Sequence, residues 1–73
     1  MKEEKDILKK VGDRIKYYRS LHNISQTELA KRINISKSFL SRIENGKTDY
    51  NIYIFWKICI ILEIKPFDLL IDL

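Results

Sequence analysis

Residues 24–47 read ISQTELAKRINISKSFLSRIENGK, and this stretch decides the fold. Ser25-Gln26-Thr27-Glu28 has the spacing of a capping box, in which a serine hydroxyl and a glutamate three residues on satisfy each other's backbone amides at a helix start. Asn34, a residue at ease with positive φ, ends that helix after about Ile33. Ser36 can then cap a second helix, from Lys37 to the Asn45-Gly46 terminator. Only Asn34 and Ile35 separate the two helices, so they must cross sharply, which is the geometry of a helix-turn-helix. Ala30 offers the small side chain that a close crossing needs. Leu29, Ile33, Ile35, Leu40 and Ile43 supply the apolar filling of the wedge.

Upstream, Ile7, Leu8, Val11, Ile15 and Tyr18 recur at three- and four-residue intervals with charges between them, an amphipathic helix reaching about His22. Asn23 is its left-handed stop. Downstream, Asn51 can cap a fourth helix from Ile52 to about Ile64, with Ile52, Phe55, Cys59 and Leu62 facing the core. Pro66 suits the first turn of a short fifth helix that ends near Leu70. No alternating strand pattern, repeat or linker is present. The expectation is an all-α chain of five helices, one domain over 1–73, in which 1–10 extends the first helix.

The 73 residues leave room for a lean core only, which favours a binding module over an enzyme. Residues 1–47 carry twelve Lys and Arg against six acids, a net +6, whereas residues 48–73 are net −2. A basic half of this kind suits a polyanionic partner. The single Cys59, between Ile58 and Ile60, reads as a buried hydrophobe. The N-terminus mixes acids with lysines and lacks an apolar run, and Ile58–Leu62 is far too short to span a membrane. A cytoplasmic location is expected, with no membrane, cofactor, metal or small-molecule effector. His22 is the only histidine and has no ligand cluster around it. No nucleophile–base pair is evident, and Gly12 and Gly46 are too far apart in the chain to form a phosphate-cradling loop.

From Val11 to Leu70 the sequence resembles the Cro and phage-repressor (XRE) type of helix-turn-helix domain. The resemblance is carried by Ile15-Lys16-Tyr17-Tyr18-Arg19, by Ile24-Ser25-Gln26-Thr27-Glu28-Leu29-Ala30, and above all by Leu40-Ser41-Arg42-Ile43-Glu44-Asn45-Gly46-Lys47. It implies a five-helix, lambda-repressor-like domain that binds operator DNA as a two-fold dimer, as a repressor, restriction-modification controller or antitoxin. It also implies an ion pair between Arg19 and Glu44. Three positions depart from the usual pattern: Asn34 replaces a turn glycine, Tyr50 a proline before helix 4, and Glu63 a glycine after it.

With the start of helix 3 in the major groove, Lys37, Ser38 and Arg42, and less directly Ser41, are placed to read base edges. Gln26, Ser36, Asn45 and Lys47 are placed to clamp phosphates and fix register. Phe39 can pack on the domain or touch a thymine methyl. Between Ile52 and Ile64 only Lys57 and Glu63 are charged, so helix 4 is apolar nearly all round and calls for a partner on its second side. The simplest partner is another copy, through Tyr53, Trp56 and Ile60 with Ile71 and Leu73; Trp56 serves equally well in a monomer core. A homodimer on double-stranded DNA with palindromic half-sites follows. The rival reading is a protein-interaction module or antitoxin subunit that uses helix 4 to hold a different protein.

Overall fold

The computed structural model describes residues 4–73, and the side chains from residue 6 onward. Five helices follow in order: α1 (Glu4–Leu21), α2 (Gln26–Ile33), α3 (Lys37–Glu44), α4 (Ile52–Ile61) and α5 (Pro66–Leu70). There is no strand among the described residues. α3 packs on α1 and α2, α4 on α2 and α5, and α5 also on α1.

Local chemistry sets the helix boundaries. Ser25 Oγ accepts from the Glu28 amide at 3.0 Å, Ser36 Oγ from Phe39, also at 3.0 Å, and Asn51 Oδ1 from Ile54 at 2.9 Å, so three helix starts each have one of their free amides satisfied. Asn23 (φ 54°) and Asn34 (φ 60°) take the left-handed turns that end α1 and α2. The capping box expected at α2 is half made. Glu28 does not return a bond to Ser25; its carboxylate accepts from Arg32 Nε at 2.8 Å, one turn on. That guanidinium holds the Glu28 carboxyl below the usual carboxylate range. A reciprocal bond forms instead at α5, where Asp68 Oδ2 accepts from the Lys65 amide at 2.9 Å.

The core joins Val11 and Ile15 of α1, Leu29, Ala30 and Ile33 of α2, Leu40 and Ile43 of α3, Ile58, Cys59 and Leu62 of α4 and its cap, and Leu69 of α5. Two expectations for α4 need correction. Ile52 does not face the core but is 78% exposed, while Ile58, unassigned from the sequence, is fully buried. Cys59 and Leu62 fix the phase of the helix, which places Ile58 inward and leaves Ile52, one turn beyond the core, at the open end. α4 also stops at Ile61 rather than Ile64, because Glu63 takes a left-handed conformation (φ 56°) and Ile64 closes back on the Cys59 carbonyl. Burial pushes the Cys59 thiol up from its ordinary value, with Asp68 adding to the effect, which keeps the sulfur protonated and unreactive.

Left-handed geometry costs a side chain with a Cβ about 1 kcal/mol that glycine does not incur. The carboxylate of Glu63 is largely exposed and approaches His22 only to 3.8 Å, so little opposes its loss. Glu63→Gly is therefore expected to stabilise the protein by about 0.5–1 kcal/mol, raising the midpoint of thermal unfolding by on the order of 5 °C. Circular dichroism melts of the two proteins check this, and a lower midpoint for the variant would refute it.

Candidate nucleic-acid interface

α3 has two contrasting sides. Leu40, Ile43 and Glu44 are buried, whereas Lys37, Ser38 and Arg42 are exposed. At about 100° per residue, positions 37, 38, 41, 42 and 45 fall within one stripe of about 140°, opposite the buried set. Lys37, Ser38 and Arg42 make no side-chain hydrogen bond or ion pair among the described residues. Ser41 is half-buried, and its carbonyl accepts from Asn45 Nδ2 at 2.8 Å. Three hydrogen-bonding side chains with no competing partner thus share the outer stripe.

The inner side is anchored by Glu44. This carboxylate is 1% exposed, and it accepts from Arg19 Nε at 2.8 Å on one oxygen and from Arg19 Nη2 at 3.1 Å on the other. Gln26 Nε2 donates to it as well, at 3.1 Å. Arg19 Nη1 donates in addition to the Ile24 carbonyl at 2.9 Å, so one guanidinium ties the end of α1 to the α1–α2 turn and to α3. No buried side-chain nitrogen or oxygen among the described residues lacks a partner. The two glycines, distant in sequence, meet at the same crossing. A Cβ on Gly12 would lie 2.5 Å from the Glu44 carbonyl oxygen, and one on Gly46 (φ 68°) would lie 2.6 Å from Lys9 Cα. α1 and the end of α3 can approach this closely only because both positions lack side chains.

Of the four residues assigned to phosphates, Ser36 and Lys47 are exposed at the two ends of α3. Ser36 uses its hydroxyl oxygen as an acceptor for the cap, which leaves its proton to donate outward. Gln26 has one amide proton engaged by Glu44 and a second remaining. The Asn45 amide turns back on its own helix, toward the Ser41 carbonyl and, at 3.4 Å, the Ser41 hydroxyl. Sequence reasoning did not find Lys57. It reaches from α4 to the Ile33 carbonyl at 3.3 Å and lies 4.6 Å over the Tyr53 ring, closing the C-terminal end of α2 beside the turn. A lone lysine on an apolar helix was the only signal available for it.

Tyr53, Trp56 and Ile60 of α4 are all more than half exposed, and the Tyr53 and Trp56 rings stack with centroids 6.1 Å apart. Ile71 is exposed while its carbonyl accepts from Arg14, and Leu73 packs against the core of its own chain. Tyr50, between α3 and α4, is tilted against Phe55 at 6.5 Å, and its burial pushes the phenol up to about 12.

A helix-turn-helix family model matches residues 15–69, three-quarters of the chain. The chain belongs to the Cro/C1-type (XRE) family of helix-turn-helix transcriptional regulators. It is 37% identical over 59 residues to an uncharacterized HTH-type transcriptional regulator of Methanocaldococcus jannaschii, covering 81% of this chain and 89% of that one. To the HTH-type transcriptional regulator SinR of Bacillus subtilis it is 38% identical over 61 residues, which is 82% of this chain and 55% of SinR. Among solved structures, the restriction-modification controller protein C.AhdI of Aeromonas hydrophila superposes with a TM-score of 0.79 at 26% identity, over 88% of this chain and 96% of that one. The clp gene regulator ClgR of Corynebacterium glutamicum shares the fold, with a TM-score of 0.85 at 23% identity over 89% of this chain and 69% of its own.

Because Glu44 is buried and held by three donors, Glu44→Ala leaves Arg19 without its counter-charge. A loss of about 3 kcal/mol is expected, lowering the thermal midpoint by on the order of 15 °C. An unchanged midpoint would show that the contact contributes nothing to folding.

Proposed function

We propose that this regulator binds double-stranded DNA sequence-specifically, as a two-fold dimer that represses transcription or autoregulates its own gene. The observation that carries the reading is the outer stripe of α3, where Lys37, Ser38 and Arg42 are exposed and unengaged while the inner side of the same helix is locked to α1 and α2. In this reading α3 lies in the major groove. Arg42 makes a bidentate contact to guanine O6 and N7, Lys37 donates to the same kind of edge, and Ser38, with Ser41 beside it, adds adaptable contacts. Ser36, Lys47 and the second amide proton of Gln26 hold phosphates; Asn45 joins them on releasing Ser41. The name of the C.AhdI controller, a structural relative above 25% identity, is in keeping with a role in gene control.

Tyr53, Trp56 and Ile60 support pairing, since stacked aromatics and an isoleucine left in water on one helix side are costly for a monomer. Ile71 lies near the chain end as a further contact, and Leu73 contributes by holding that end on its own core. Two copies so joined present two α3 helices to half-sites one DNA turn, roughly 34 Å, apart, and palindromic operators follow. The work is binding rather than catalysis, and a location with the DNA in the cytoplasm accords with it. No described helix is long and apolar enough to cross a membrane.

Duplexes selected from a random pool supply the operator, and affinity is then measured over a range of salt. Arg42→Ala is expected to cost about 1–3 kcal/mol on the preferred duplex and to relax preference at one base pair. Lys47→Ala should weaken all duplexes alike and reduce the slope of log affinity against log salt by about 1. Salt-independent binding with no preferred duplex would overturn the reading in favour of a protein-interaction module built on α4.

A further inference from the structure

An apolar groove of about 350 Å³ opens between the start of α1, the α3–α4 loop, the start of α4 and the end of α5. Ile7, Leu8, Ile52, Phe55 and Leu70 line it, and among the described residues Asp49 is the one charged residue on its wall. Ile52 belongs both to this groove and to the exposed side of α4, since positions 52, 53, 56 and 60 fall within about 100° of one another around the helix. Ile52 therefore joins the groove to the exposed apolar side of α4 that carries Tyr53, Trp56 and Ile60.

At the other end of α4 the surface has the opposite form. Lys65, Pro66 and Phe67 are all exposed, with Phe67 at 63%, a projecting ring beside a lysine. The lysine's amide, not its ammonium, is used by Asp68. In the sequence the acidic side of the hollow precedes α4 and the basic projection follows it, with Trp56 at the midpoint of Ile52 and Ile60.

We infer that the occupant of the groove is the Phe67 ring of a second copy, with Lys65 of that copy against Asp49. The inference rests on the pairing proposed above and fixes its register. When two α4 helices run antiparallel across a two-fold axis at Trp56, the end of one meets the start of the other. Ile60 then meets Ile52 of the second copy, Phe67 meets its groove, and Lys65 meets its Asp49. Two-fold symmetry repeats each contact, so both hollows are filled by one docking event and no projection is left over. This closure separates a dimer from an open chain of copies. It also removes from water the large side chains that a monomer exposes at Ile52, Trp56, Ile60 and Phe67.

The test is the dimer dissociation constant of the full chain by sedimentation, for the wild type, Asp49→Lys, Lys65→Asp, the double variant, Phe67→Ala and Trp56→Arg. All altered positions are exposed, and the circular dichroism melt of each variant establishes that it folds. Asp49→Lys and Lys65→Asp should each weaken pairing about tenfold, because symmetry counts every like-charge contact twice. The double variant should return to within about threefold of wild type, and Phe67→Ala should weaken pairing at least tenfold. Failure of the double variant to recover would overturn the register. So would folded charge and Phe67 variants that pair normally while Trp56→Arg does not; that result would leave the dimer standing. A wild type that stays monomeric at high micromolar concentration would overturn both the register and the pairing it rests on.

Discussion

A carboxylate removed from water must find donors for its oxygens, and Glu44 finds them on two other helices. The Arg19 fork takes both oxygens from α1, and Gln26 takes one of them a second time from the first residue of α2. Three of the five helices are thus held at a single charged point. The backbones meet there too, because Gly12 and Gly46 allow α1 to lie against the end of α3. The orientation of α3 is set by this cluster as much as by the apolar wedge of Leu29, Ile33, Leu40 and Ile43. Paired charges in a dry interior contribute little net stability compared with apolar packing, but they tolerate few alternative arrangements. Apolar residues fix that α3 is buried on one side, and the Arg19–Glu44–Gln26 contacts fix which rotation it adopts.

That rotation decides what solvent meets. With Glu44 turned inward, the stripe holding Lys37, Ser38 and Arg42 is turned outward by the same helical geometry, and no local contact competes for those side chains. The first 47 residues, which include this stripe, carry a net charge of +6, and the net negative remainder lies in α4, α5 and their loops. A basic N-terminal part of this kind suits the polyanionic partner that the family implies.

Much of this was legible in the sequence because it depends on local rules. Ser25, Ser36 and Asn51 cap as their types and positions require, and Asn23, Asn34 and Gly46 adopt the left-handed turns that their side chains permit. What the sequence hid depends on competition or on tertiary phase. Glu28 has two possible partners at helical spacing, the Ser25 amide and Arg32, and only the folded surface shows that the guanidinium prevails. α4 is so uniformly apolar that its pattern cannot say which side is inside, which is why Ile52, expected in the core, is exposed and Ile58, left unassigned, is buried. Gln26 is a polar residue at a helix start, equally suited to solvent or phosphate, until Glu44 is placed beside it.

α3 contains eight residues. Isolated helices shorter than about 12–15 residues are marginal in water, and this one has two serines among its eight and no acid in its first turn to offset the macrodipole. Excised as a peptide, the segment would be a coil. The outer stripe of α3 is accordingly not an autonomous element presented by a scaffold; it is created by the cooperative folding transition and melts with it. Heating a regulator built this way dissolves that stripe in step with the global unfolding curve, so its tolerance of temperature is that of its tertiary packing.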